Sequence, residues 1–228
     1  ESTGLLWVGT TDGLAISQTD NADVIHIGKY QGMVNQHIWS IAHHEDLLWL
    51  GSENGISQLN VKTGELVAFN TGSSPTDLPR TIIWDLQYEP RTQLLWLASN
   101  RGLIKFDPRS GIAQAVDAGS ISYSEGSYSP LYTLLKTPEG LWLGYANGDI
   151  LLFDPVNMLR IAHLPAAMKG VVHSLKSVDD SIYVVSEEQV AKIQQNRIVQ
   201  EASLNVLLEK IDDTIDTAAF EGNRAWIG

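Results

Sequence analysis

The residues best placed to do chemistry in this chain are few. His43-His44-Glu45-Asp46 is the densest group of metal-ligand types. It falls between two apolar runs and reads as a solvated turn. Neighbouring residues of a strand also point to opposite faces, so the two imidazoles do not converge on one ion. Asp20-Asn21-Ala22-Asp23, and Asp212-Asp213 with Asp216, hint at calcium. Both lack the glycine and ordered oxygen spacing of a calcium loop. A glycoside hydrolase needs two opposed carboxylates in a cleft. With 27 acidic residues, such a pair can be drawn anywhere and identifies nothing. No phosphate-binding glycine loop, Gly-x-Ser-x-Gly elbow, His-Glu-x-x-His or dinucleotide fingerprint occurs. The Trp-rich quinoprotein pattern ending an Ala-x-Asp-x-x-Thr-Gly run is missing as well. The sequence therefore predicts no enzyme in this region, no cofactor and no metal.

Bulk composition narrows the partners. Net charge is −12 and the 15 Lys and Arg do not cluster. Binding to nucleic acid by counterion release needs a basic footprint, so nucleic acid is excluded as a partner. Hydrophobic residues make up 43%, ordinary for a folded domain, and no apolar run is long enough for a membrane helix. Membrane attachment is expected only through segments outside these residues. No secretory leader is read in Glu1-Ser2-Thr3-Gly4, which leads straight into a strand. The absence of cysteine excludes disulfides and thiolate metal sites and fits either periplasm or cytosol.

The positioning elements come from a repeat. Leu47-Leu48-Trp49-Leu50-Gly51-Ser52-Glu53-Asn54-Gly55-Ile56 has counterparts at Leu5 to Leu14, Leu94 to Leu103 and Gly140 to Asp149. A worn copy runs from Ser181 to Ser186 and a short one from Arg224 to Gly228. The anchoring aromatics are residues 7, 49, 96, 142, 183 and 226, so the steps are 42, 47, 46, 41 and 43. Each unit reads as four short strands, A to D: Ile38 to Ala42, Leu47 to Gly51, Ile56 to Asn60 and Glu65 to Phe69 in the clearest case. His43 to Asp46 is the expected A–B turn. Asn54-Gly55 is expected to form the tight B–C turn. Asp107-Pro108-Arg109-Ser110-Gly111 and Asp154-Pro155-Val156-Asn157 are expected at C–D corners. A helical turn is conceivable only at Ser203 to Lys210.

Four antiparallel strands at this period define an all-β fold, a β-propeller of four-stranded antiparallel blades. About five blades' worth is present, read as part of a larger seven-bladed or tandem propeller. Residues 1–228 are expected to form one propeller or a fragment of one. Strand A at Asp216 to Phe220 could complete the first blade and close a five-bladed ring. The extra motif copy at Arg224 to Gly228 favours the fragment. The tryptophan is expected to fill the gap between stacked sheets, and the glycine two residues on lets the next sheet approach.

These residues carry a resemblance. Leu-Trp-hydrophobic-Gly-Thr/Ser-x-x-Gly-Leu/Ile, with a Phe-Asp-Pro-x-Ser-Gly turn after it, resembles the two-component regulator propeller repeat. Leu5 to Leu14, Leu47 to Ile56, Leu94 to Gly111 and Gly140 to Pro155 carry it best. The pattern's Gly-Leu-Pro-Ser-Asn is represented by Gly32-Met33-Val34-Asn35-Gln36 and Asp77-Leu78-Pro79-Arg80-Thr81, which both depart from it. The resemblance implies a periplasmic sensor domain of an inner-membrane protein. It implies a downstream histidine kinase or diguanylate cyclase, a small-molecule or oligosaccharide ligand, and a homodimer of the full receptor. The competing expectation is an interaction scaffold whose acidic surface meets a basic protein.

A ligand is expected where D–A connections and B–C turns share one face. The long D–A loops are Asn70 to Thr81 and Asp117 to Pro130, which include Tyr123 and Tyr128. Residues just ahead of strand A are Gln36 and His37, Arg80 to Ile82, Ser129 and Pro130, and Gly170 and Val171. Trp39, Trp84, Tyr132 and His173 share one position within strand A. They read as packing between blades or as an aromatic platform. The binding residues so predicted are Gln36, His37, Trp39, Arg80, Thr81, Trp84, Tyr128, Ser129, Tyr132 and His173.

Overall fold

The computed structural model describes residues 5–18, 24–69, 78–118, 122–124, 127–203, 218–221 and 224–227. The chain divides into two compact units, residues 1–100 with 104–115, and residues 101–103 with 116–228. In the first unit, β1 (Leu5–Thr10), β2 (Gly13–Gln18) and β3 (Val24–Ile27) form a three-stranded sheet. A 3-10 turn at Lys29–Gln31 follows. The second sheet is β4 (Ile38–His44), β5 (Leu47–Ser52), β6 (Gly55–Asn60) and β7 (Leu66–Phe69), in that order. The third is β8 (Ile83–Glu89), β9 (Leu94–Ser99), β10 (Gly102–Asp107) and β11 (Ile112–Val116), of which residues 102, 103 and 116 fall to the second unit.

The second unit begins with a small hairpin, β12 (Ser122–Ser124) and β13 (Ser127–Tyr128), inside the D–A connection that was expected to be plain loop. Two four-stranded sheets follow. One is β14 (Leu131–Thr137), β15 (Gly140–Tyr145), β16 (Ile150–Asp154) and β17 (Leu159–Leu164). The other is β18 (Val172–Val178), β19 (Ser181–Ser186), β20 (Gln189–Gln194) and β21 (Arg197–Ser203). A two-stranded ladder of β22 (Ala218–Glu221) and β23 (Arg224–Ile227) ends the described chain. These sheets are β-propeller blades. The calcium hints at Asp20 to Asp23 and at Asp212, Asp213 and Asp216 lie outside the described residues, as do positions 204–210 of the conceived helical turn.

The tryptophan motif packs as its chemistry demands. Trp49 is 1% exposed and clusters with Ile83, Leu95 and Leu97 of the third sheet. Leu48 and Leu50, on the other side of the same strand, cluster with Leu14 and Ile38. In the second unit, Trp142 and Ile150 cluster with Leu175, Ile182 and Val184. Strand B is thus buried on both faces, which is why it reads as an unbroken apolar run rather than an alternating one. Among the described residues of the first unit no sheet covers Leu6 and Val8, which are 55% and 44% exposed. A Cβ on Gly51 would stand 3.0 Å from the Ile83 carbonyl oxygen, and one on Gly144 would stand 2.6 Å from Val172. The sheets approach through these glycines.

Two sequence expectations change. His43 and His44 belong to β4, so the A–B turn is only Glu45-Asp46. The strand is longer because both imidazoles find aromatic partners. His43 meets Trp7 at 4.8 Å and His44 meets Tyr88 at 4.9 Å. Those partners belong to different sheets, in keeping with alternate faces. The B–C turn is Glu53-Asn54, because Ser52 pairs with Gly55. Gly55 opens the next strand with φ of 129°. The hydroxyl of the motif's Thr/Ser position, unassigned from sequence, closes this turn. Ser52 Oγ donates to the Gly55 carbonyl at 2.8 Å, as Thr10 Oγ1 does to that of Gly13.

The C–D corners close as expected, through side chains that accept from the backbone two and three residues on. Asp154 Oδ1 accepts from the N–H groups of Val156 and Asn157, and Asn60 Oδ1 from those of Lys62 and Thr63. Asp107 accepts from the Arg109 backbone at 3.0 Å and from its guanidinium at 3.1 Å. The Arg109 side chain beside Asp107 holds its carboxyl below the usual carboxylate range, and hydrogen bonds from Asn157 do the same for Asp154. A carboxyl lowered by folding binds its proton less readily than in the unfolded chain. Its stabilising contribution is complete above the ordinary range and is lost as pH falls through the folded value. An NMR titration of Arg109→Ala is expected to return the Asp107 midpoint toward 3.8. An unmoved midpoint would remove the guanidinium as the cause.

Candidate functional site

Strand A enters every four-stranded sheet with the same irregularity. The ladder skips between Ile38 and Ser40, between Ile83 and Asp85, between Leu131 and Thr133, and between Val172 and Ser174. The residue left over is Trp39, Trp84, Tyr132 or His173. The shared position read from the sequence is therefore a β-bulge, which lets a strand re-aim one side chain. Bulges recur beside binding sites because the extra residue is not tied to the pleat. Trp39 is 52% exposed, while Trp84, Tyr132 and His173 are half-buried. Packing between blades, the blander expectation, does not describe Trp39.

In the first unit, the bulge stands in a small polar cluster. The His37 backbone N–H donates to Asn35 Oδ1 at 2.8 Å. His37 Nδ1 lies 2.8 Å from Glu53 Oε1, with both side chains about two-fifths exposed, at 41% and 38%. Trp39 meets the His37 ring edge-on at 6.4 Å and 86°. Ahead of β8, buried Thr81 Oγ1 donates to Asn100 Oδ1, and that same oxygen accepts the Ile82 N–H at 3.1 Å. Gln36 is half-buried and Arg80 is exposed.

The second unit repeats the arrangement with other residues. Tyr132 and His173 meet edge-on at 6.1 Å and 84°. Burial, and then the Glu187 carboxylate, raises the Tyr132 hydroxyl above its ordinary pKa. Ser129 is 1% exposed, and its hydroxyl has no protein partner. Deeper in, Asp149 is buried and accepts the Ala166 N–H at 2.6 Å, with His163 Nε2 at 3.2 Å from its other oxygen. This pairing pins the segment that follows β17. Tyr145, buried nearby, has its hydroxyl pushed well above the ordinary range, first by burial and then by Asp149 and Asp117. The Tyr123 and Tyr128 side chains and residues 70–77 of the first long loop lie outside what the structure describes.

Sequence reasoning missed Glu53, Asn100 and Glu187. Each stands four residues after the anchoring aromatic, at the B–C turn. Glu53 faces His37, Asn100 faces Thr81 and Ile82, and Glu187 acts on Tyr132. The signal was present. The position is Thr11, Glu53, Asn100, Ala146 and Glu187 in successive units, polar in all but one, and the B–C turn shares a face with the start of strand A. The bulge left a trace too. Ile83 and Leu86, Leu131 and Leu134, and Val172 and Leu175 are buried pairs three residues apart, where an unbroken strand would space them by two or four.

Among the described residues, no group of three His, Asp or Glu is placed to hold a metal. The arrangement is a set of aromatic edges with imidazole, amide, hydroxyl and carboxylate groups at the same strand ends. Such a set can bind a polar molecule. It shows no nucleophile aligned with a base.

The sheets are β-propeller blades, and within each unit the strand-A ends carry polar and aromatic side chains. Solved structures agree on the fold. The extracellular domain of BT3049 from B. thetaiotaomicron, assigned to a hybrid two component system, superposes with a TM-score of 0.75 at 16% identity, covering 99% of this chain and 31% of that one. That of BT4673 from B. thetaiotaomicron, likewise assigned to a hybrid two component system, gives 0.73 at 14% identity, covering 99% and 30%. The β-propeller domain of Cps50 (Swd1) from Myceliophteria thermophila gives 0.67 at 11%, covering 88% and 69%. The chain spans about a third of the length of the two bacterial domains. No protein-family model and no curated protein matches it.

Proposed function

We propose that residues 1–228 are a propeller, or part of one, that senses a ligand outside the cytoplasm as a non-catalytic region of a bacterial signal-transduction receptor. The observation that carries this reading is the fold likeness over 99% of the chain to a domain described as extracellular in a two component system. The receptor is of the two-component kinase or diguanylate cyclase kind, with the propeller on the periplasmic side of the inner membrane and a homodimer as its working form. The ligand is a small molecule or oligosaccharide. It binds at the strand-A bulges, where Trp39 offers an exposed aromatic face beside His37 and Glu53, and half-buried Tyr132 and His173 stand at the matching positions of the second unit. Aromatic faces flanked by hydrogen-bonding groups suit a sugar ring.

In cells carrying the complete receptor, Trp39→Ala is expected to raise the ligand concentration giving half-maximal output by about tenfold or more, the equivalent of about 1.4 kcal/mol. Receptor abundance should not change, because the side chain is half in solvent. An unaltered dose–response in both Trp39→Ala and His37→Ala would place the site elsewhere.

A further inference from the structure

At the far end of β4 and β8 from their bulges, the first unit holds a second concave feature. It is a cleft of about 480 Å³ lined among others by His44, Trp49, Gln58, Tyr88, Gln93 and Arg109. That volume suits a molecule of one or two rings. One wall is aromatic. Tyr88 stacks on Trp49 at 6.1 Å and 17°, and His44 lies tilted against Tyr88 at 4.9 Å and 34°. The Trp49 indole N–H is buried without a protein partner. Gln58 stands directly across the ladder from Trp49.

Arg109 is fixed before any ligand arrives. Its Nε donates to Asp107 Oδ1 at 3.1 Å, Nη2 to Asp107 Oδ2 at 3.4 Å and Nη1 to Gln93 Oε1 at 3.2 Å. A guanidinium has five N–H groups, so two remain for a ligand. Asp107 neutralises its charge, which leaves little pull on an anion. Recognition of paired sugar hydroxyls calls for available carboxylates. Here Asp107 is committed to Arg109, and Glu45, at the rim of the cleft, is drawn to His44 with Oε1 3.9 Å from Nε2. What remains is an aromatic wall with amide and guanidinium groups, which suit the in-plane edge of a flat ring.

We propose that this cleft binds a neutral planar heterocycle of the purine-base kind, with ring nitrogens and a carbonyl oxygen on its edge. The ring lies against Tyr88 and His44, and its edge accepts from Arg109 and pairs with the amides of Gln58 and Gln93. The repeat supplies the space and the turns supply the chemistry. The matching cleft of the second unit, about 400 Å³, has the same tryptophan position in Trp142 but is lined by Glu139, Asp179 and Asp180, with no arginine and no second aromatic. It is a control built on the same geometry.

Calorimetric titration of the chain with hypoxanthine tests the proposal. Saturable one-to-one binding is expected, weakened tenfold or more by Arg109→Ala and by Gln58→Leu, with unfolding temperatures checked to show that both variants are folded. Trp39→Ala should leave it unchanged, which separates this cleft from the sensing surface proposed above. Absence of saturable binding, equal affinity in Arg109→Ala, or saturation by cellobiose in preference to hypoxanthine would each overturn it.

Discussion

Trp49→Ala is expected to destabilise the first unit by about 3–5 kcal/mol, the range for removing a large buried aromatic from a core. The side chain is 1% exposed and ties the second sheet to Leu95 and Leu97 of the third. It also lies against Phe69 at 6.2 Å and Tyr88 at 6.1 Å. Alanine leaves a cavity between two sheets whose backbones are each held by their own ladders, so the gap closes poorly. Chemical denaturation read by far-ultraviolet circular dichroism gives the value. Trp39→Ala is the matched control. The same residue type removed from a half-exposed bulge should change stability by less than about 1 kcal/mol. Equal losses in the two variants would mean that the two tryptophans do not hold the separate roles described above.

The second large effect is expected at Gly148→Ala in the second unit. Gly148 has φ of 82°, and a Cβ there would stand 2.0 Å from the Met168 carbonyl oxygen. The Met168 N–H also donates to the Gly148 carbonyl at 3.1 Å, so the two segments cannot separate without losing that bond. The left-handed backbone costs an L-residue about 1–2 kcal/mol. Relief of the clash adds about 1–3 kcal/mol typical of overpacking. A total loss near 3 kcal/mol or more is expected by thermal or denaturant unfolding. Gly64→Ala serves as its control. Gly64 has φ of 75° and nothing within 4 Å of the added carbon, so only the backbone cost applies. A Gly148→Ala variant no less stable than Gly64→Ala would show that the Met168 contact does not constrain the turn.

Strand identity was legible because each strand B is a run of bulky apolar residues ended by a hydroxyl residue, with glycine before it at Gly9, Gly51 and Gly144. Such a run calls for a sheet on each face, and the spacing of its copies at 41 to 47 residues leaves room for three more strands. The Asp-Pro and Asn-containing corners were legible for a local reason, since their side chains close the turn within three residues. Local chemistry of this kind is written in consecutive letters. The Asn-Gly turn was misplaced by one residue because the sequence shows a glycine with positive φ but not which ladder pair closes the loop.

The candidate site was harder to read. The shared aromatic position in strand A was visible as a letter, yet its meaning depended on the ladder skipping that residue. Likewise, His37 and Glu53 are 16 residues apart in the chain, and Thr81 and Asn100 are 19 apart. No local rule pairs them. They meet because the start of strand A and the B–C turn are brought to the same end of one sheet. The cleft beneath Trp49 follows the same logic, assembled from turns of two sheets. The tryptophan repeat determined the strands, the C–D corners and the burial of strand B in the four-stranded sheets, since those follow from side-chain volume and turn chemistry within a few residues. Which polar residues face one another, and which aromatics stand in solvent, was settled by the register of the ladders and the stacking of sheets, which are long-range contacts that a linear pattern does not encode.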